Sequence, residues 1–204
     1  MTATPARVEA TDALLDAAEA LLIEVGHAAI TTRRLAERAG VNHGLVHYYF
    51  GSMQDLLLRV VERFSERLLV RQRAMYAAPV PFIEKWRQAM RFLDEDARSG
   101  YHKVWFEMQA MAWNDASVRA RLQHVHEEWV EVVTGAFEPG LSELGVDKRR
   151  FPTKSVVALV VTFNQGVMLE RLSGADSGHR DLLRMVDRVV EHLAEGKHHE
   201  GPRT

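Results

Sequence analysis

The stretch TTRRLAERAGVNHGLVHYYFGS, residues 31–52, decides the fold. Thr32 to Ala39 places Leu35, Ala36 and Ala39 on one side of a short helix, with Gly40 just past its end as a stop. Asn42, a good N-cap, opens a second short helix that ends before Phe50-Gly51. Ser52-Met53-Gln54-Asp55 then reads as a capping-box-like start to a long helix. Two short helices joined by Gly40-Val41 and preceded by a longer one form a helix-turn-helix layout. A helix that short cannot stand alone, because nucleation costs more than it can bury, so it is kept for what it presents. Charge agrees with this. Residues 1–26 hold Arg7 against Glu9, Asp12, Asp16, Glu19 and Glu24, whereas residues 27–52 hold Arg33, Arg34 and Arg38 against Glu37 alone. Asn42, His43, His47, Tyr48 and Tyr49 add groups that hydrogen-bond phosphates or base edges.

Residues 31–52 resemble the DNA-binding signature of TetR-type transcriptional repressors. That signature is a Thr-led short helix, an Ala-Gly-Val turn, a short recognition helix ending in two aromatics and a Phe, then Gly-Ser before the fourth helix. The resemblance implies that Thr32 caps the second helix and touches a phosphate, and that Arg33 reads a base, with Arg34 beside it in the same basic cluster. A guanidinium can bind guanine bidentately, worth about 1–3 kcal/mol of discrimination. It further implies that Asn42 and His43 sit at the tip of the recognition helix, that Gly44 lets the backbone approach DNA, and that Tyr48 and Tyr49 hold the phosphate backbone. Two positions depart from the pattern. His47 stands where the family has Tyr, and Met53 where it has Lys. A Met cannot pair with a phosphate, so non-specific affinity and its salt dependence should be lower.

Working outward, the apolar spacing is helical almost everywhere. The first helix is expected from about Thr11 to Val25, with Gly26 as its stop, and the fourth from residue 53 to about Tyr76. Pro79-Val80-Pro81 is the best internal break. Beyond it, helices are expected near 82–98, 101–113, 115–138, 153–173 and 179–195, with Pro139-Gly140 ending the third of these. The expectation is an all-α chain of about nine helices. Its domains would be a DNA-binding head at 1–52 and a ligand-binding and dimerisation body at 53–204, with the fourth helix as connector and a mobile tail from residue 196.

Composition narrows the class. The 204 residues are 47% hydrophobic and 26% charged, values of an ordinary globular protein. Without cysteine there is no disulfide framework and no thiolate ligand or nucleophile. A net charge of −2 predicts no bulk affinity for nucleic acid or membrane. No apolar run approaches the roughly 20 residues of a membrane helix, and the first twenty residues do not read as a secretory signal. A cytoplasmic protein without cofactor or metal is expected.

All four Trp lie beyond the Pro79–Pro81 break. Trp86, Met90, Trp105, Phe106, Met108, Met111, Trp129, Phe163 and Met168 could line an apolar cavity, with His102 and Asn164 as polar groups needing partners. Such a stripe is more often plain core. The resemblance implies that this body binds a small effector, here a hydrophobic one, and that binding respaces two DNA-reading heads. It also assigns dimerisation to the last two helices, and their residues agree. Val160, Phe163 and Val167 belong to a helix apolar nearly all round, and Leu182, Met185, Val186 and Val189 to a broad stripe on the next. One chain covers only part of such a surface.

Other classes fare less well. In His124-Val125-His126-Glu127-Glu128 the two His point to different helix faces, and His198-His199 lie in the polar tail. No His-Glu-x-x-His run, phosphate-binding Gly loop or Gly-x-Ser-x-Gly elbow is present, so no enzyme is expected. A helical adaptor or a small-molecule-binding protein without DNA binding remains the alternative. The expected partners are a palindromic duplex, a second copy of the chain and a small effector, with no membrane.

Overall fold

The structure, a computed structural model, describes residues 5–175 and 177–196. The expected mobile tail beyond Gly196 lies outside the described residues. Among the described residues there are nine α-helices and no strand. They are α1 (Pro5–Val25), α2 (Thr32–Ala39), α3 (Gly44–Phe50), α4 (Met53–Ala77), α5 (Phe82–Ser99), α6 (Tyr101–Ala112), α7 (Ala116–Glu143), α8 (Thr153–Leu172) and α9 (His179–Gly196). A single 3-10 turn, His27–Ala29, follows α1.

The chain forms two compact units. One runs up to Arg67 and adds Ser99–Val125; the other holds Leu68–Arg98 and the chain from His126 onward. This division by packing differs from the functional line expected at residue 52, and the reason is burial. Leu14, Ala18, Leu21 and Leu22 of α1 share one core with Leu56, Val60, Val61 and Phe64 of α4, and Val104, Trp105 and Met108 of α6 close it. Without α6, the apolar faces of α1 and α4 would stay in water. Polar contacts fix the same arrangement. Arg63 reaches Asp16 at 2.8 Å and Glu19 at 2.9 Å, and Lys103 Nζ donates to the Ile23 carbonyl at 2.7 Å near the end of α1. Glu107 accepts from the His27 backbone N–H at 2.6 Å.

In the second unit Phe82, Trp86, Val133, Phe137, Leu141, Leu144, Val157 and Val161 form the core. The Phe82 and Phe137 rings meet edge to face at 5.1 Å. Here α7 does not stop at Pro139-Gly140 but runs on to Glu143. Leu141 and Leu144 are buried beyond the proline, and a Cβ at Gly140 would run into the Phe82 ring. Burial of that last turn outweighs the hydrogen bond the proline removes. Helix α8 is, by length and composition, apolar enough to cross a membrane, against the sequence expectation of no such run. Its most apolar stretch is only 22% buried within the chain.

Candidate functional site

The helix-turn-helix is built by local chemistry. Thr31 is extended and its hydroxyl accepts from the Arg34 N–H at 3.2 Å, capping α2. The expectation gave this cap to Thr32, which is instead the first helical residue and half-buried. The cap must have non-helical backbone angles, and those fall one position earlier. Gly40, with φ 67°, ends α2 in the left-handed conformation that glycine alone adopts without strain. Asn42 does not cap α3 directly. Its Oδ1 accepts from the Gly44 N–H at 2.9 Å in a turn, and α3 begins at Gly44. The Ser52 start of α4 is as read: Ser52 Oγ accepts from the Asp55 N–H at 3.0 Å and donates to the Asp55 carboxylate at 2.6 Å.

Leu35, Ala36 and Val46 turn inward and are buried, while Leu45 and Phe50 pack against the same core. Seven of the nine expected DNA-contact residues remain outside. Arg33, Arg34, Asn42, His43, Gly44, His47 and Tyr48 are all exposed, Arg33 with 88% of its side chain and Tyr48 at 73%. Arg33 Nε donates to Glu37 at 2.9 Å, engaging one nitrogen of the fork. Arg38, the third basic residue, is held by Glu24 at 2.6 Å and is less available. The His47 Nδ1 contacts the Gly51 carbonyl at 3.1 Å, so Nε2 is the ring nitrogen without that contact. Tyr49 is half-buried, stacked edge-on to Tyr48 at 5.0 Å and under the Arg7 guanidinium at 5.7 Å. Gly44 has ordinary backbone angles, and a Cβ there would meet only Asn42 Oδ1 at 3.4 Å. Its missing side chain therefore serves an outside surface, not internal packing. Met53 packs against the core, which accounts for an apolar residue at that position.

The eleven expected pocket residues divide between the two compact units. Trp105 and Met108 fill the core of the first unit, with Phe106 and Met111 packed against it and His102 on the same helix. Trp86 fills the second core, with Met90 and Trp129 against it; Phe163 and Asn164 are half-buried on α8 and Met168 is buried there. Trp86 Nε1 donates to Asp187 at 3.1 Å, tying α5 to α9. Trp105 and Met108 thus serve the core of one unit and Trp86 that of the other.

A cleft of about 340 Å³ does occur in the second unit, and none of those eleven residues lines it. It is bordered by Arg73 and Tyr76 at the end of α4, Lys85 at the start of α5, and Glu131, Gly135 and Pro139 of α7. Nothing in the aromatic pattern pointed to it. The available signal was Gly135 and Pro139 four apart inside one helical stretch.

On α8 and α9 the expected interface is partly turned inward. Val167 is buried at 4% exposure, Val160, Phe163 and Leu182 are half-buried, and Val186 packs on the core. Met185 and Val189 are exposed. The outward face of α8 is instead Leu159, Leu169 and Leu172, with exposed Thr162 and Gly166 between them. Leu159, Thr162, Gly166 and Leu169 recur at spacings of three and four, the signature of one helix face.

The small helical head presents arginines and aromatics on a short helix-turn-helix. Residues 14–60 match the family described as bacterial regulatory proteins, tetR family. An HTH-type transcriptional repressor of Mycobacterium tuberculosis is 38% identical over 80 residues, covering 39% of this chain. The match spans 41% of that relative's length. The fold is shared more widely. The transcriptional regulator FadR of Bacillus subtilis, solved with stearoyl-CoA, aligns at TM-score 0.72 and 15% identity over 91% of this chain and 98% of its own. A regulator from Saccharomonospora viridis, solved with choline, aligns at TM-score 0.68 and 17% identity over 95% and 97%.

Proposed function

We propose that this protein is a sequence-specific DNA-binding transcriptional repressor that acts in the cytoplasm as a homodimer on a palindromic operator and is released by a small effector. The observation that carries this reading is the outward set Arg33, Arg34, Asn42, His43, Gly44, His47 and Tyr48, held on a head whose inward residues join a core completed by α4 and α6. In this reading residues 1–52 read DNA, and residues 53–204 bind the effector and dimerise, with α4 as connector. Arg33 reads a base, Thr32, Arg34, His47, Tyr48 and Tyr49 hold phosphates, and Gly44 lets the α3 backbone approach.

The exposed apolar faces of α8 and α9 support the dimer. Leu159, Leu169, Leu172, Met185, Val189 and Leu193 would leave a large apolar patch in water without a partner. The small-molecule step is supported by two fold neighbours solved with stearoyl-CoA and with choline. Of the aromatic residues on which the expected hydrophobic effector rested, Trp105 and Trp86 lie in the two cores.

Selection of bound sequences from a random duplex pool, then a salt titration on the enriched sequence, tests the reading. A palindrome with half-sites ~10 bp or a small multiple apart is expected. Affinity should fall with a log–log salt slope of about −0.9 per phosphate contacted. No enrichment from an intact dimer would transfer the reading to a helical adaptor.

A further inference from the structure

We propose that the cleft bordered by α4, α5 and α7 binds a small organic monocarboxylate, and that this class of compound is the effector. Only the word effector rests on the regulator reading above; the binding does not.

Charge is the first argument. Arg73 and Lys85 make no ion pair among the described residues. Their neighbours in sequence do. Arg71 is held by Asp96 at 2.6 Å and Arg87 by Glu191 at 2.6 Å. With the single Glu131 carboxylate on the same cleft, these two cations leave a net positive charge, which favours an anion. Lys85 Nζ donates one hydrogen bond to the Tyr76 carbonyl at 2.7 Å, which positions the ammonium and leaves two of its three protons. Burial pushes the Tyr76 hydroxyl up to about 12, so it stays protonated and can donate. A carboxylate accepts from all three groups, and charge-assisted hydrogen bonds of this kind are the strong ones. Glu131 on the same cleft repels a second negative charge, which limits the ligand to a monoanion.

Gly135 and Pro139 are the second argument. Gly135 has no positive φ, and a Cβ there would meet nothing within 4 Å. Neither the backbone nor the packing requires a glycine, and glycine weakens a helix interior. The side chain it lacks is space in the cleft. Pro139 has no N–H to close the helical bond onto the Gly135 carbonyl, so that oxygen can accept from a ligand hydroxyl. Val132 and Ala136, both half-buried, supply apolar wall. At about 340 Å³ the cleft suits a single ring or a short chain, and a ligand as long as stearoyl-CoA exceeds it.

Calorimetric titration of the full-length protein with benzoate and 4-hydroxybenzoate is the test, with benzamide and inorganic phosphate as comparison arms. Saturable carboxylate binding is expected, with benzamide at least ~10-fold weaker. Arg73→Gln and Gly135→Leu should each weaken it by ~10-fold or more while thermal unfolding of the free protein is not lowered. Absence of carboxylate binding up to ~10 mM, equal affinity for benzamide or phosphate, or full binding by both variants overturns the site. Carboxylate binding that leaves operator affinity unchanged overturns its role as effector alone. Failure of the duplex selection with carboxylate binding intact overturns the regulator reading and leaves the cleft standing.

Discussion

Arg33 is the residue on which the DNA-reading proposal bears most directly. Its side chain is almost wholly in solvent, and its exposed pair with Glu37 contributes about 0.3–0.5 kcal/mol to the helix. Arg33→Ala should therefore leave folding unchanged, cost about 1–3 kcal/mol in operator binding and relax preference at one base pair. Binding measured against operators permuted at each position checks both effects. Met53 argues in the opposite direction. Because it is half-buried at the edge of the core, a lysine can lay its stem along the same surface and carry its ammonium into water. Met53→Lys should tighten non-specific binding and steepen the log–log salt slope by about one unit, read by titrating affinity against salt.

Helix ends show how far the elements depend on single side chains. Thr31 gives α2 its only side-chain cap, and Thr31→Ala should lower stability by about 1 kcal/mol, visible in a urea midpoint. Asp115 does the same for α7 through the Ser117 N–H at 2.8 Å and the Val118 N–H at 3.1 Å. The Gln54 amide, and then these backbone groups, lower its pKa from 3.8 to about 2. A depressed carboxylate contributes stability that is complete above its unfolded pKa and lost as pH falls through the folded one. Wild type and Asp115→Asn should differ in urea midpoint at pH 7 and converge between about pH 4 and pH 2, followed by urea titrations across that range. The sequence shows most of these elements because turn chemistry is local: Gly26, Gly40 and Ser52 each act on residues within one turn. It hides what depends on remote burial. Pro139 looked like a stop because the leucines that carry α7 past it are buried only once the fold exists. The outward arginines of α2 and Tyr48 of α3 were legible because helices of eight and seven residues have few ways to arrange an inner face. The cleft was not, because Arg73, Lys85 and Glu131 come from three helices whose mutual placement no local pattern encodes.

At the scale of the whole molecule, pairing and packing set the behaviour. Leu159 and Met185 are outward, so Leu159→Glu with Met185→Glu should spare the protomer fold and abolish association, measured by sedimentation. The resulting monomer should bind a palindrome ~10²-fold or more weakly, since the second head no longer engages at high effective concentration. The two compact units add a requirement of another kind, because each is discontinuous in the chain. As synthesis proceeds, the first 67 residues leave the ribosome with the apolar sides of α1 and α4 uncovered, and residues 99–125 must follow before that core can close. At about 5–20 residues per second the wait lasts seconds, long enough for a chaperone to be the first partner the nascent chain meets. The head proposed to read DNA is thus completed only after part of the body has been made, and a prematurely terminated chain lacks the finished core on which that surface rests.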